Sequence, residues 1–296
     1  MVKVLITGGT GLLGKALVET NRKAAISSIY LGAYDMANDR KSAYYKTDIC
    51  DKDAMDEVFS KAEPQVVIHT AGIANVDYCE KNYKEAYESN VIGTGIIVDL
   101  ARKTGAKIVF ISTNAVFDGR SAPYSENSVT SPINSYGKMK LEAEEMVRDS
   151  GLKNLIIRPI LMYGWNHEQE RVNAVTWLIE KLKKGEKVNM VNDVYENPLF
   201  NISCAEIIWS LIDSGKEGIY HLAGRDMVNR YEFARMIADV FDLDKKLISQ
   251  VSSGFFPGLA PRPRNTSYDT SKIEKDLGLK PAGLKEGLEI MKGMRR

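Results

Sequence analysis

Ser135-Tyr136-Gly137-Lys138-Met139-Lys140 sets a tyrosine and a lysine four residues apart. On a helix both side chains leave one face, about one turn from each other. A phenol beside an ammonium is a tunable proton donor. The positive charge favours the phenolate and is expected to draw Tyr136 down from the ordinary phenol pKa of about 10 towards the working pH. An acid tuned in this way can protonate an alkoxide as it forms. The same spacing also suits an exposed aromatic and a solvated lysine, so the surrounding residues must decide. Thr113 is one such residue, at the end of the apolar run 107–112. A hydroxyl at the carboxyl end of a strand can hydrogen-bond the substrate oxygen that Tyr136 protonates, although hydroxyls in such loops also serve as turn caps.

The elements that must position these groups begin at Val2. Val2 to Thr7 reads as a strand, Gly8-Gly9-Thr10-Gly11-Leu12-Leu13-Gly14 as a glycine turn, and Lys15 to Glu19 as helix. This order is the context that a dinucleotide fingerprint requires. Gly8 allows the tight turn, Gly11 lets the backbone approach a pyrophosphate, and Gly14 lets the helix pack closely. Free amides at the helix start then face the anion. A second strand is read over 28–34, where an acid normally holds the adenosine ribose 2′-hydroxyl. Gly32-Ala33-Tyr34 offers none, and Arg40 and Lys41 follow. This favours NADP(H), with NAD(H) left open by the nearby Asp35.

Further strands are read over 44–47, 64–72, 107–112 and 154–158, with helices over 53–62, over 82–104 and from the Tyr136 segment. Asp48 can accept from an adenine amino group, with Ile49 on the ring. The small Ala71 and Gly72 leave room for ribose and phosphates, and Asn90 is either an active-site orienter or a satisfied core amide. Alternating strands and helices imply an α/β fold with a doubly wound parallel sheet, a Rossmann domain, over 1–160. A segment near 199–225 is expected to return to it. From 161 to 296 the alternation breaks into a smaller, irregular α/β lobe for substrate, with helices over 172–184, 230–241 and 285–292 and a strand over 218–222. Within it Ala260-Pro261-Arg262-Pro263-Arg264-Asn265 is extended by its prolines, and its arginines can contact phosphate in bidentate fashion.

Composition narrows the classes. The 296 residues are 44% hydrophobic and 27% charged, which excludes disordered and fibrous chains. Forty basic and thirty-nine acidic residues leave a net charge of +1, so nothing in the bulk charge calls for nucleic acid or a membrane surface. No apolar run reaches the roughly 18 residues of a membrane span, and the chain starts directly on a strand, so a cytoplasmic protein is expected. Cys50, Cys79 and Cys204 lack the spacing of a disulfide frame or zinc site, and no metal site is expected. His69 and His221 lie in apolar runs and are expected in the core.

Together these motifs resemble a family. Thr-Gly-Gly-Thr-Gly-Leu-Leu-Gly, Ser112-Thr113 followed by Val116-Phe117-Asp118-Gly119, Tyr136-Gly137-Lys138-Met139-Lys140, Arg158-Pro159 with Tyr163-Gly164, and Arg262-Pro263-Arg264-Asn265 are similar to those of the extended short-chain dehydrogenase/reductases, and within them to the dTDP-4-dehydrorhamnose reductase branch. The resemblance implies a nucleotide-sugar 4-reductase. Tyr136 would be the acid, Lys140 would lower its pKa and hold the nicotinamide ribose, and Thr113 would orient the carbonyl. Gly8, Thr10, Gly11, Leu12, Leu13 and Gly14 would frame the pyrophosphate. Asp48, Ile49, Ala71, Gly72, Ile73, Asn90, Ser112 and Pro159 would complete the cofactor site. Val76, Phe117, Asp118, Tyr195, Pro198 and Arg262 would serve the sugar nucleotide, and a homodimer is compatible with the family. The branch usually reads Ser-Thr-Asp-Tyr-Val-Phe-Asp-Gly, whereas Asn114-Ala115 stands here. The departure bears on the sugar more than on the chemistry. Two other readings stay open: a related epimerase or dehydratase, and a non-catalytic NADP-binding protein like the regulatory β-subunit of methionine adenosyltransferase.

Overall fold

A computed structural model describes residues 1–21, 23–31, 42–167 and 172–294. Strand β1 (Lys3–Thr7) alternates its apolar side chains between two covered faces. Val4 and Ile6 pack with Leu13, Ala16 and Leu17 of helix α1 (Leu12–Thr20), while Leu5 joins Val58, Phe59 and Ile97 on the other face. A strand buried on both sides must be apolar throughout, which is why it reads as an unbroken hydrophobic run.

The chain continues through β2 (Ala25–Tyr30), β3 (Ala43–Lys46), α2 (Lys52–Ala62), β4 (Val66–His69), α3 (Val76–Lys81), α4 (Tyr83–Tyr87) and α5 (Gly93–Thr104). It then passes through β5 (Lys107–Ile111), α6 (Ser135–Arg148) and β6 (Asn154–Pro159). After these come β7 (Met162–Tyr163), α7 (Ala174–Lys183), β8 (Val188–Val191), β9 (Tyr195–Glu196), β10 (Leu199–Phe200), α8 (Asn201–Asp213) and β11 (Gly218–Leu222). The rest is β12 (Val228–Asn229), α9 (Arg230–Val240), β13 (Ile248–Val251), α10 (Ser271–Leu277) and α11 (Leu284–Gly293).

Seven strands form one parallel sheet in the order β11-β6-β5-β4-β1-β2-β3. The order reverses between β1 and β4, and open α/β sheets bind ligands in the crevice at that point. Here it brings the turn after β1 against the residues after β4: Ala71 N donates to Thr7 Oγ1 at 3.1 Å and Thr70 Oγ1 donates to Thr7 O at 2.6 Å. Helix α8 packs on α1, where Asn201 Nδ2 donates to Leu12 O and Trp209 Nε1 to Leu17 O. A separate apolar cluster that includes Val175, Leu178, Phe233, Ile237, Leu288 and Met291 joins α7, α9 and α11 beside the sheet. Burial of each such side chain contributes roughly 1.5–3 kcal/mol.

Two expected elements differ from those observed. The strand expected over 28–34 ends as β2 at Tyr30; Arg40, with Asp35 and Lys41, lies outside the described residues. The helix expected over 82–104 is not continuous: a π-turn spans Glu88–Ile92 between α4 and α5. The inserted turn places Asn90 inside, 2% exposed, with Nδ2 donating to Ile73 O at 3.1 Å. Such turns recur at functional sites, where they re-aim a side chain.

Candidate active site

The cleft runs along the carboxyl edge of the sheet and encloses about 990 Å³. At one end the glycine turn meets it. Gly8 has φ +71°, and a Cβ added at Gly14 would stand 2.1 Å from Gly8 O, so the turn and α1 can close on each other only without side chains. Helix α1 begins with no side-chain cap and no acid in its first turn, leaving its amide donors to the cleft wall formed by Gly11, Leu12 and Leu13. An uncapped, acid-free helix start beside a glycine cradle fits a dinucleotide pyrophosphate. Thr10, Asp48, Ile49, Ala71, Gly72, Ile73, Asn90, Ser112 and Pro159 line the same cleft, joined by Tyr30, Leu31 and Thr47. Gly14 itself is the packing residue rather than a wall residue.

Helix α6 presents Tyr136 and Lys140. Asn134 caps it: Oδ1 accepts from Gly137 N at 2.8 Å, and Nδ2 donates to Pro261 O at 3.0 Å, which ties the helix start to the extended arginine segment. Gly137 passes so close to the turn after β5 that an added Cβ would lie 2.1 Å from Ala115 O. That contact seats α6 against the loop that carries Thr113. Thr113 caps the 3-10 turn Asn114–Val116, its Oγ1 accepting from Ala115 N at 3.1 Å, and it lines the cleft together with Tyr136. The turn-cap reading of Thr113 is therefore realised.

The expected effect of Lys140 on Tyr136 is not what this geometry gives. Burial pushes Tyr136 up to about 12, and the bond from Thr113 opposes the rise only in part. Burial also pushes Lys140 down to about 7, against the pull of Glu144 one turn further along α6. The ammonium Nζ stands 4.0 Å above the Phe110 ring. Sequence spacing placed the two groups on one face correctly but carried no measure of desolvation, which dominates here.

The substrate-side expectations divide. Val76 and Arg262 line the cleft. Arg262, however, already has its fork on Asp77, at 3.0 and 2.5 Å, and that bond holds the Asp77 carboxyl below its usual range. Phe117, Asp118, Tyr195 and Pro198 do not reach the cleft. Phe117 is fully buried, stacked 4.2 Å from Tyr124. Asp118 accepts from Tyr124 Oη at 2.7 Å and from Arg120 N at 3.0 Å, closing a turn. Tyr195 pairs in β9 with Asn229, and Pro198 is buried against Gly224. The cleft wall on that side is built instead from Asn114, Asn173, Trp177, Glu196, Arg230 and Thr266. Only Asn114 had a signal in the sequence, as the departure from the branch motif; nothing linked Glu196 to Arg230 before the fold did.

His69 and His221 are buried, the first between Thr7 and Thr94 and the second between Arg158 and Tyr124 O, and burial pushes both down to about 3. Among the described residues, no helix is long and apolar enough to cross a membrane.

Residues 2–293 match the family model described as the RmlD substrate binding domain. The chain belongs to that family. Among curated members of the wider group, methionine adenosyltransferase 2 subunit beta of Rattus norvegicus is 30% identical over 278 residues, covering 92% of this chain and 81% of that protein. A dTDP-4-dehydrorhamnose reductase of Aggregatibacter actinomycetemcomitans is 28% identical over 302 residues, covering 98% of each. Among solved structures, a dTDP-4-dehydrorhamnose reductase of Bacillus anthracis in complex with NADP superposes with a TM-score of 0.88 at 28% identity, over 99% of this chain and 100% of that one. The fold is thus that of the RmlD family, an extended short-chain dehydrogenase/reductase architecture.

Proposed function

We propose that this RmlD-family chain is an NAD(P)H-dependent reductase of a nucleotide-linked 4-keto-6-deoxysugar, acting on dTDP-4-dehydrorhamnose. The observation that carries this reading is the junction of three features in one cleft: the Tyr136 phenol with the Thr113 hydroxyl, Lys140 on the same helix face, and the bare start of α1. The named reductases among relatives and solved neighbours support it, and the neighbour holding NADP supports NADP(H) over NAD(H).

In this reading Gly11, Leu12 and Leu13 hold the pyrophosphate on their amides, and Ala71 and Gly72 leave room for ribose. The bound nicotinamide supplies hydride to the 4-keto carbon. Thr113 and Tyr136 hold the carbonyl oxygen between two hydroxyls, and Tyr136 delivers its proton as negative charge grows there. A phenol that sits near 12 keeps its proton at neutral pH and so is loaded for donation. Lys140, on the same face and in the same cleft wall, would hold the nicotinamide ribose when the cofactor is bound.

The similarity to methionine adenosyltransferase 2 subunit beta, at 30%, favours one other reading, a cofactor-binding regulatory subunit. Incubation with NADPH and dTDP-4-dehydro-6-deoxy-L-lyxo-hexulose separates the two. Ketone-dependent oxidation supports the reductase; cofactor binding without oxidation supports the subunit.

A further inference from the structure

Asn114 is the one position of the Thr113 loop where the chain departs from its branch and also enters the cleft wall with a full set of partners. Its Nδ2 donates to Glu196 Oε1 at 3.0 Å and to Thr266 Oγ1 at 2.7 Å, while Oδ1 accepts from Thr113 Oγ1 at 3.3 Å. Two donors and one acceptor are all in use, and only an amide offers that set. The aspartate usual in the branch has no hydrogen to give Glu196 and would set a second carboxylate against it. Asn114 and Glu196 are a matched pair across the cleft, the amide beside Thr113 and the acid on β9.

Glu196 is built into that wall. Antiparallel pairing with Val228 holds its backbone, and Arg230 Nη2 lies 2.7 Å from Oε2. Its side chain is only 12% exposed, with Oε2 buried against that guanidinium and Oε1 on Asn114. Glu196 and Arg230 both line the cleft, and the carboxylate neutralises a guanidinium that would otherwise attract anions there.

We propose that Glu196 determines which sugar the cleft accepts, taking hydrogen bonds from ring hydroxyl or ammonium groups and turning away sugars that carry a carboxylate. This rests on the nucleotide-sugar reading above. Arg230 is the complementary half. With Glu196 in place its charge is neutralised; without Glu196 it is free to hold a uronate in bidentate fashion.

The test is calorimetric titration of the full chain, saturated with NADP⁺, with dTDP-glucose and with dTDP-glucuronate. The parent chain is expected to prefer the neutral sugar by at least roughly tenfold, the scale of one hydrogen bond to a charged group. Glu196→Gln is expected to erase or reverse that preference with NADP⁺ affinity unchanged, and Glu196→Asp, which keeps the charge, to retain it. A purely structural tie between Asn114 and Glu196 would shift the melting temperature and leave the ratio of affinities alone. Equal binding of the two sugars by the parent overturns the proposal, even if Glu196→Gln fails to fold. A preference that survives in folded Glu196→Gln also overturns it. Binding of neither sugar nucleotide by a parent that binds NADP⁺ overturns the nucleotide-sugar reading itself.

Discussion

Arg158 and Glu144 form a two-pronged ion pair inside the protein, Nε to Oε1 at 2.8 Å and Nη2 to Oε2 at 2.6 Å, with both side chains almost wholly buried. Glu144 is on α6, one turn beyond Lys140, and Arg158 is on β6, so the pair fixes α6 to the sheet. Ser112 donates to the same carboxylate, and Arg158 also approaches His221. Removing one partner strands a buried charge, a loss of about 3–5 kcal/mol. Glu144→Leu and Arg158→Met are each expected to lower the urea midpoint strongly. The double variant Glu144→Leu/Arg158→Met is expected to recover part of that loss, because two uncompensated charges leave together. Additive losses would contradict the coupling.

Gly137 offers a test of how α6 is seated. Its missing Cβ would lie 2.1 Å from Ala115 O, a backbone atom that cannot swing aside. Gly137→Ala is expected to lower stability by about 1–3 kcal/mol. It should also move Tyr136 away from Thr113, so turnover should fall more than the loss of folded protein explains. A variant with parental turnover would mean that the spacing of α6 from the Thr113 loop is not critical.

Lys140 links the site to pH. Burial sets it at about 7 in the folded chain, below its ordinary value of 10.5. Between those values the unfolded chain binds the extra proton, so stability rises with pH across that window. Below about 7 the buried ammonium destabilises the fold in full; above about 10.5 the penalty is gone. Lys140→Met is therefore expected to stabilise the unliganded protein most near pH 6 and to lose that advantage as pH rises, while turnover collapses. A stability difference independent of pH would show that Lys140 is not desolvated.

The sequence was most informative where one physical requirement acts locally. The run Val2–Thr7, the glycine turn and the small residues after β4 each meet a rule about backbone space, and the parallel sheet built from them follows. The Tyr136–Lys140 spacing is equally local. The charge state of that pair was not legible, since desolvation depends on what α6 packs against. Nor was the lobe wall: Glu196 and Arg230 are 34 residues apart, and only the β9–β12 pairing brings them together. Phe117 and Asp118 follow Thr113 closely in the chain, but the 3-10 turn carries them away from the cleft into the Tyr124 cluster. The break at Asn90 was hidden because a π-turn only shifts the phase of the helical pattern and leaves both flanking segments helical in character.

The most direct test of the central claim follows loss of reduced-nicotinamide absorbance, with NADPH and then NADH, in the presence of dTDP-4-dehydro-6-deoxy-L-lyxo-hexulose, for the parent chain and for Tyr136→Phe. The account predicts ketone-dependent oxidation by the parent, faster with NADPH, and a fall of roughly 10²–10⁴-fold in turnover for Tyr136→Phe with cofactor affinity nearly unchanged. Parental turnover in Tyr136→Phe, or no oxidation by a parent chain that binds both cofactor and sugar nucleotide, would contradict it.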